Sequence, residues 1–108
     1  SSVAKEKMAA MKSAMEWQTA QQQLLSGDTE KALKSIDRSL QLSPNVAKSH
    51  VLKGRILMEQ GDLEGGLTWF GTAEGLDPEN PDAPYFSALV LERLRQPEAA
   101  LAKYRRAA

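Results

Sequence analysis

The sequence predicts an all-α fold made of repeated helix pairs, and three observations predict it. A 34-residue period runs through the chain, turn-forming and capping residues recur at fixed places within it, and the segments between them carry apolar residues at helical steps. Repeats are sought first because missing one misreads the whole fold. Shifted by 34 residues, Gly27-Asp28 falls on Gly61-Asp62, and the stretch from Glu30 to Pro44 falls on that from Glu64 to Pro78 without a gap. A second shift brings Glu98, Ala100, Leu101, Tyr104 and Ala107 into the same register.

The first element is one opening helix, from about Val3 to Leu25, with Val3, Met8, Met11 and Met15 at helical spacing. Residues 3–12 precede the first repeat, so this half of the helix has no partner within the repeats. It reads as a helical extension or the remnant of an upstream repeat; the functional alternative is a self-association face on Met8, Met11 and Met15, because methionines pack adaptably.

Within each period two helices, A and B, are expected. Gly27 and Gly61 can take the left-handed conformation that ends an A helix, and Asp28 and Asp62 can accept hydrogen bonds from the free amides that open a B helix. The residue before a proline is pushed out of the helical region, so Pro44 and Pro78 end the B helices. In the third copy the turn reads Arg95-Gln96-Pro97, a departure from Gly-Asp, but Pro97 suits a first helical turn because its missing N–H would be unpaired there anyway. The A helices are placed near 13–26, 46–60 and 83–94, and the B helices near 29–42, 63–76 and 97–107.

Along the B helices Ala32, Leu33, Ile36, Ser39 and Leu40 recur at three- and four-residue steps, as one buried face requires. The second B helix holds Gly65, Gly66, Gly71 and Gly75, each costing about 0.5–1 kcal/mol relative to alanine. It should be the weakest helix unless close packing around Trp69 and Phe70 compensates; a hinge is the sharper reading.

Composition narrows the function. The 14 Lys and Arg are balanced by 14 Asp and Glu, so no long-range field gathers polyanions, and nucleic acid is a poor default partner. The absence of cysteine removes disulfides, thiolate metal sites and cysteine nucleophiles, and leaves the compartment open, cytoplasm and periplasm both being compatible. No stretch approaches the ~18 consecutive apolar residues of a membrane span, and Ser1 to Lys7 has no apolar signal core.

The aligned triplets Ala20, Gly54, Ala88; Ala32, Gly66, Ala100; Ile36, Phe70, Tyr104; and Ser39, Ala73, Ala107 alternate small and bulky residues in a fixed order. This resembles the code of the tetratricopeptide repeat (TPR), over residues 13–108. The resemblance implies a right-handed α-solenoid of about three antiparallel helix pairs behind a long N-terminal helix. It divides the single domain 1–108 into an extension (1–12), repeats at 13–46 and 47–80, and a third at 81–108 that stops before its final turn and proline. Each repeat exposes an apolar face that the next one covers, so the expectation is that the chain continues or that a partner covers its end.

The sequence departs from the usual pattern in the A helices. Where a bulky apolar residue is usual it holds Glu16, His50 and Pro84, with the bulk one place later at Trp17, Val51 and Tyr85; Thr19, Lys53 and Ser87 stand where leucine is usual. Either the A helices are slightly rotated or the surface they line is unusually apolar.

No chemistry-bearing motif stands out. His50 is the only histidine and has no ligand cluster around it; no phosphate loop, Gly-x-Ser-x-Gly elbow or His-Glu-x-x-His is present. Acids such as Glu59 and Asp62 would sit on an open solenoid from which nothing excludes water. Neither enzyme activity nor a cofactor or metal is expected.

The resemblance points instead to a protein-interaction scaffold that holds a peptide or helix in a concave groove lined by the A helices: Trp17, Gln21, Lys48, Leu52, Arg55, Glu59, Phe86 and Leu89. Apolar anchors would give binding energy and the Arg55 guanidinium would fix a carboxylate. Self-assembly, or service as an accessory segment of a larger protein, are the alternatives. The two-carboxylate clamp of chaperone-binding TPRs is missing, since its places hold Trp17, Gln21, Leu52, Asp82 and Phe86, so an acidic chaperone tail is not the expected ligand.

Overall fold

A computed structural model describes all of Ser1–Ala108. Six α-helices and no strands make up the chain: α1 (Ser2–Leu25), α2 (Thr29–Leu42), α3 (Ala47–Glu59), α4 (Leu63–Leu76), α5 (Asp82–Arg93) and α6 (Pro97–Ala107). The helices pair as α1–α2, α3–α4 and α5–α6, and the hairpins stack through α2 on α3 and α4 on α5. The body is elongated, 50 × 29 × 18 Å, as a row of hairpins should be.

Local chemistry sets the boundaries. At each A–B turn two backbone bonds close the helix end: Asp28 N–H to Gln23 O (2.9 Å) with Gly27 N–H to Leu24 O (3.0 Å), Asp62 to Leu57 (2.9 Å) with Gly61 to Met58 (3.0 Å), and Gln96 to Leu91 (2.9 Å) with Arg95 to Glu92 (3.0 Å). This pattern requires a left-handed residue just past the helix, and Gly27 and Gly61 supply it at φ 85° and 86°. Asp28 Oδ1 then accepts from the Lys31 amide at 3.1 Å, and Asp62 Oδ1 from the Gly65 amide at 2.9 Å. Ser43 and Asp77, each before a proline, leave the helical region at φ −144° and −145°.

The third turn keeps the geometry with the wrong residue: Arg95 takes φ 59°, and Gln96 makes no side-chain cap. A side chain in the left-handed region is crowded against the following carbonyl, while glycine there costs entropy in the unfolded chain, so the two effects partly cancel. Arg95→Gly is expected to raise stability by about 0.5–1 kcal/mol, measured as a shift in the chemical denaturation midpoint at constant m-value.

The core is built on the small-and-bulky columns. Ala20, Leu24, Ala32 and Ile36 of the first hairpin cluster with Leu52 and Ile56 of α3; Val51, Met58, Phe70 and Ala73 cluster with Ala83 and Val90 of α5. Within hairpins the pairs are size-matched. Ala20 goes with Ile36, the larger Phe70 goes with Gly54, and Tyr104 packs beside Ala88 and turns its hydroxyl outward to Glu92.

The second B helix is now partly explained. A Cβ added at Gly66 would lie 3.1 Å from the Gly54 carbonyl oxygen, and one at Gly65 would strike the Asp62 cap, whereas Gly71 and Gly75 face open space. Close helix packing accounts for Gly66 and the Asp62 cap for Gly65; neither accounts for the last two.

Tyr104 couples the last hairpin to pH. Its hydroxyl donates to Glu92 Oε1, and this bond, then burial, then the nearby Glu92 charge and Tyr85, push its pKa up from 10.0 to about 12. The fold favours the protonated phenol, so its stabilisation is complete below pH 10 and is lost as pH rises towards 12. The expected result is a phenolate absorbance step near pH 12 that disappears in Tyr104→Phe and moves down in Glu92→Gln.

Candidate functional site

The residues that the resemblance assigns to one groove divide into four groups. Arg55, Glu59, Phe86 and Leu89 come together around a cavity of ≈ 400 Å³ where α1, α3 and α5 meet, and Leu24, Leu25, Met58 and Arg93 complete its lining. Trp17 and Lys48 stand apart, around a smaller hollow of ≈ 90 Å³ near the start of α3. There the indole N–H donates to the Lys48 carbonyl at 3.2 Å, and the Lys48 ammonium lies 4.4 Å from the ring centroid. Trp17 also packs on the first core cluster, so it joins α1 to α3 and offers an edge to solvent. Gln21 is half-buried on α1 and lines neither hollow.

Leu52 is a correction. It is 1% exposed and belongs to the core shared by α1, α2 and α3, not to the groove surface. An A helix in the middle of a solenoid has apolar contacts on several sides, and Leu52 lies on the one turned to the preceding hairpin. The A-helix departures resolve in the same way: His50 and Pro84 are buried and Glu16 half-buried, so the usual inward column stays inward without a rotation. Of the residues one place later, Val51 is buried while Tyr85 is 44% exposed. His50 Nε2–H donates to the Pro44 carbonyl at 2.7 Å, and the ring lies 5.1 Å from that of Trp69, as a packing residue.

The groove cavity has an apolar floor and a rim that carries Arg55, Arg93 and the exposed Glu59. Arg55 sits with its guanidinium carbon 4.7 Å from the Phe86 ring centroid, Phe86 stacks on Phe70 at 5.9 Å, and Tyr85 meets Phe86 edge-on at 5.2 Å. A core aromatic therefore supports a groove aromatic, which in turn holds the arginine in place. The five ion pairs of the chain involve neither Arg55 nor Arg93, so both guanidinium groups are without an ionic partner.

Leu24, Leu25, Met58 and Arg93 were missed, and the repeat period contained the signal for two of them. Leu25 and Arg93 stand one period either side of Glu59, whereas Leu24 and Met58 share a column that holds no expected groove residue. The columns Leu25–Glu59–Arg93 and Leu24–Met58 mix residue types, which hides them from a search for like residues.

On α1, Val3, Met8, Met11 and Met15 are all 56–67% exposed, and among residues 2–12 only Ala9 is even half-buried. Leu52 and Ile56, then Phe86 and Val90, are the places where α3 and α5 take the preceding hairpin, and the same places on α1 hold the exposed Gln18 and Gln22. At those two places α1 is polar where α3 and α5 are apolar, although Met11 and Met15 stand exposed two turns earlier on the same side. No helix of the chain is long and apolar enough to cross a membrane.

Comparison with known proteins agrees with this architecture. No curated protein matches the chain in sequence. Solved structures match it in fold. MamA superposes with a TM-score of 0.81 at 13% identity over 88% of this chain, which spans only 56% of MamA. The first TPR of Spaghetti (RPAP3), bound to the HSP90 peptide SRMEEVD, gives 0.86 at 12% identity, covering 91% of this chain and 78% of that one. The Yersinia enterocolitica type III secretion chaperone SycD, in complex with a peptide of the translocator YopD, gives 0.81 at 18% identity, covering 87% and 72%. At these identities the likeness concerns the fold. A sequence model of the tetratricopeptide repeat, however, matches residues 19–81 and again 53–108. With the repeat columns seen packed as hairpins and those two overlapping matches together covering residues 19–108, the chain belongs to the tetratricopeptide-repeat family.

Proposed function

We propose that this chain is a protein-interaction scaffold whose concave groove binds an extended peptide or short helix bearing an apolar anchor and an acidic side chain. The observation that carries this reading is the ≈ 400 Å³ cavity between α1, α3 and α5, with its apolar floor and the two unpaired arginines, Arg55 and Arg93. Apolar burial supplies affinity, and a guanidinium held against Phe86 loses little freedom when it meets a carboxylate. Spaghetti and SycD are solved with peptides bound, which supports peptide binding as the use of this architecture. TPR domains are interaction modules, and the carboxylate-clamp places hold Trp17, Gln21, Leu52, Asp82 and Phe86 here, so the reading is of an internal acidic residue and not of a chaperone tail.

The test is selection from a displayed random-peptide library on the intact chain. Selected peptides should combine an apolar residue with Asp or Glu. Arg55→Glu should weaken them by about tenfold or more, or ~1.4 kcal/mol, with melting nearly unchanged. Binding that survives Arg55→Glu would remove the groove from the proposal, and a collapse in melting would make Arg55 structural. Light scattering over a concentration series is expected to return a constant monomer mass, because Gln18 and Gln22 stand on α1 where α3 and α5 carry the apolar residues that dock a neighbouring hairpin; a dimer would put self-association through Met8, Met11 and Met15 first.

A further inference from the structure

The groove leaves the first half of α1 without a task. At ~1.5 Å rise per residue, α1 with its 24 residues is longer than α2 with its 14 by about 15 Å. Ser13, which exchanges hydrogen bonds of 2.8–2.9 Å with Ser39, is the last point at which α2 holds it. Beyond that point Ala4, Met8 and Ala9 of α1 form a trough of ≈ 320 Å³ that Leu42 closes at the end of α2, with Lys5 and Lys12 along it. Met8 is 56% and Leu42 37% exposed.

The charges select the occupant. Lys5 and Lys12 are seven residues apart, so they lie on one side of the helix two turns, or ~10 Å, from each other, with Met8 between them. Neither is ion-paired. Residues 1–12 hold three lysines and one glutamate, a side-chain charge of 3 − 1 = +2. We infer that this trough docks an amphipathic helix of a partner protein that carries two acidic residues seven positions apart with an apolar residue between them. Its carboxylates meet Lys5 and Lys12, and the apolar residue covers Met8 and Leu42.

A second copy does not meet that description. The one pair of acids seven apart on a helix of this chain is Glu30 and Asp37; Lys53 holds Asp37 at 2.7 Å, and Leu33 between them packs on the core. Pairing α1 with α1 sets lysine against lysine. An anionic membrane would also attract the lysines, and binding to anionic vesicles is the competing outcome of the experiment below; Leu42 of α2 stands beside the Lys5–Met8–Lys12 row and gives the hollow a second wall for an apolar side chain to cover.

The experiment uses two labelled synthetic helical peptides, identical except for Glu or Lys at the two outer positions around a central leucine. Each is titrated with the intact chain by fluorescence anisotropy. The acidic probe should bind, and Lys5→Glu/Lys12→Glu should weaken it by about tenfold while acquiring affinity for the basic probe; Arg55→Glu should leave it unchanged, which separates the trough from the groove. Both lysines are exposed, so circular dichroism of the double variant should match the parent. An acidic probe that does not bind, binds parent and double variant alike, or loses affinity with Arg55→Glu overturns the inference. So does binding to phosphatidylserine vesicles with which the acidic probe does not compete.

Discussion

Phe70→Ala is expected to lower the unfolding free energy by about 3–5 kcal/mol, a large share of the ~5–15 kcal/mol typical of a domain. Phe70 is fully buried, and its ring serves two interfaces at once. Within its hairpin it fills the space left by Gly54, and across hairpins it clusters with Ala83 and Val90 of α5 and stacks on Phe86. Its loss therefore leaves a cavity where the middle repeat meets the third, and a close-packed interior relaxes only partly to fill such a space. Urea denaturation followed by circular dichroism measures the cost. The variant should also bind groove ligands more weakly under conditions where it remains folded, since Phe86 leans on Phe70 and Arg55 leans on Phe86. A cost below about 1 kcal/mol would mean that the repeats are held by something other than this column.

Why some features were legible in the sequence and others were not follows from how local their causes are. Turn glycines, capping aspartates and prolines act within a few residues, so helix boundaries could be placed to within a residue or two. The small-and-bulky columns were legible because each is a contact inside one hairpin, between residues at a fixed separation. The groove was harder. Leu52 and Leu89 are both apolar residues of A helices, yet Leu52 faces the preceding hairpin and Leu89 lines the cavity, a difference made by how hairpins tilt on one another. Trp17 shows the same limit, since its ring serves packing and surface together. Arg93 lines the cavity because α5 brings it beside α3, and its own neighbours in sequence carry no sign of that.

Gly54→Ala tests whether glycine is used in this solenoid for contact or for freedom. In an exposed helix the change would gain about 1 kcal/mol from propensity. Here the added Cβ would lie 2.7 Å from Phe70 Cδ1, and Phe70, at 0% exposure, has nowhere to move. Overpacking of this kind costs about 1–3 kcal/mol and wins over the propensity gain. Gly54→Ala should therefore destabilise, and adding Phe70→Leu should recover part of the loss, because alanine opposite a branched aliphatic residue is what the first repeat already uses in Ala20 and Ile36. Gly71→Ala is the control. Nothing lies within 4 Å of its added Cβ, so it should gain about 0.5–1 kcal/mol. Opposite signs at Gly54 and Gly71 would establish close helix contact as the reason for the first glycine. A loss of stability at Gly71 as well would mean that α4 bends in the native state, and would turn its glycines into a hinge between the second repeat and the third.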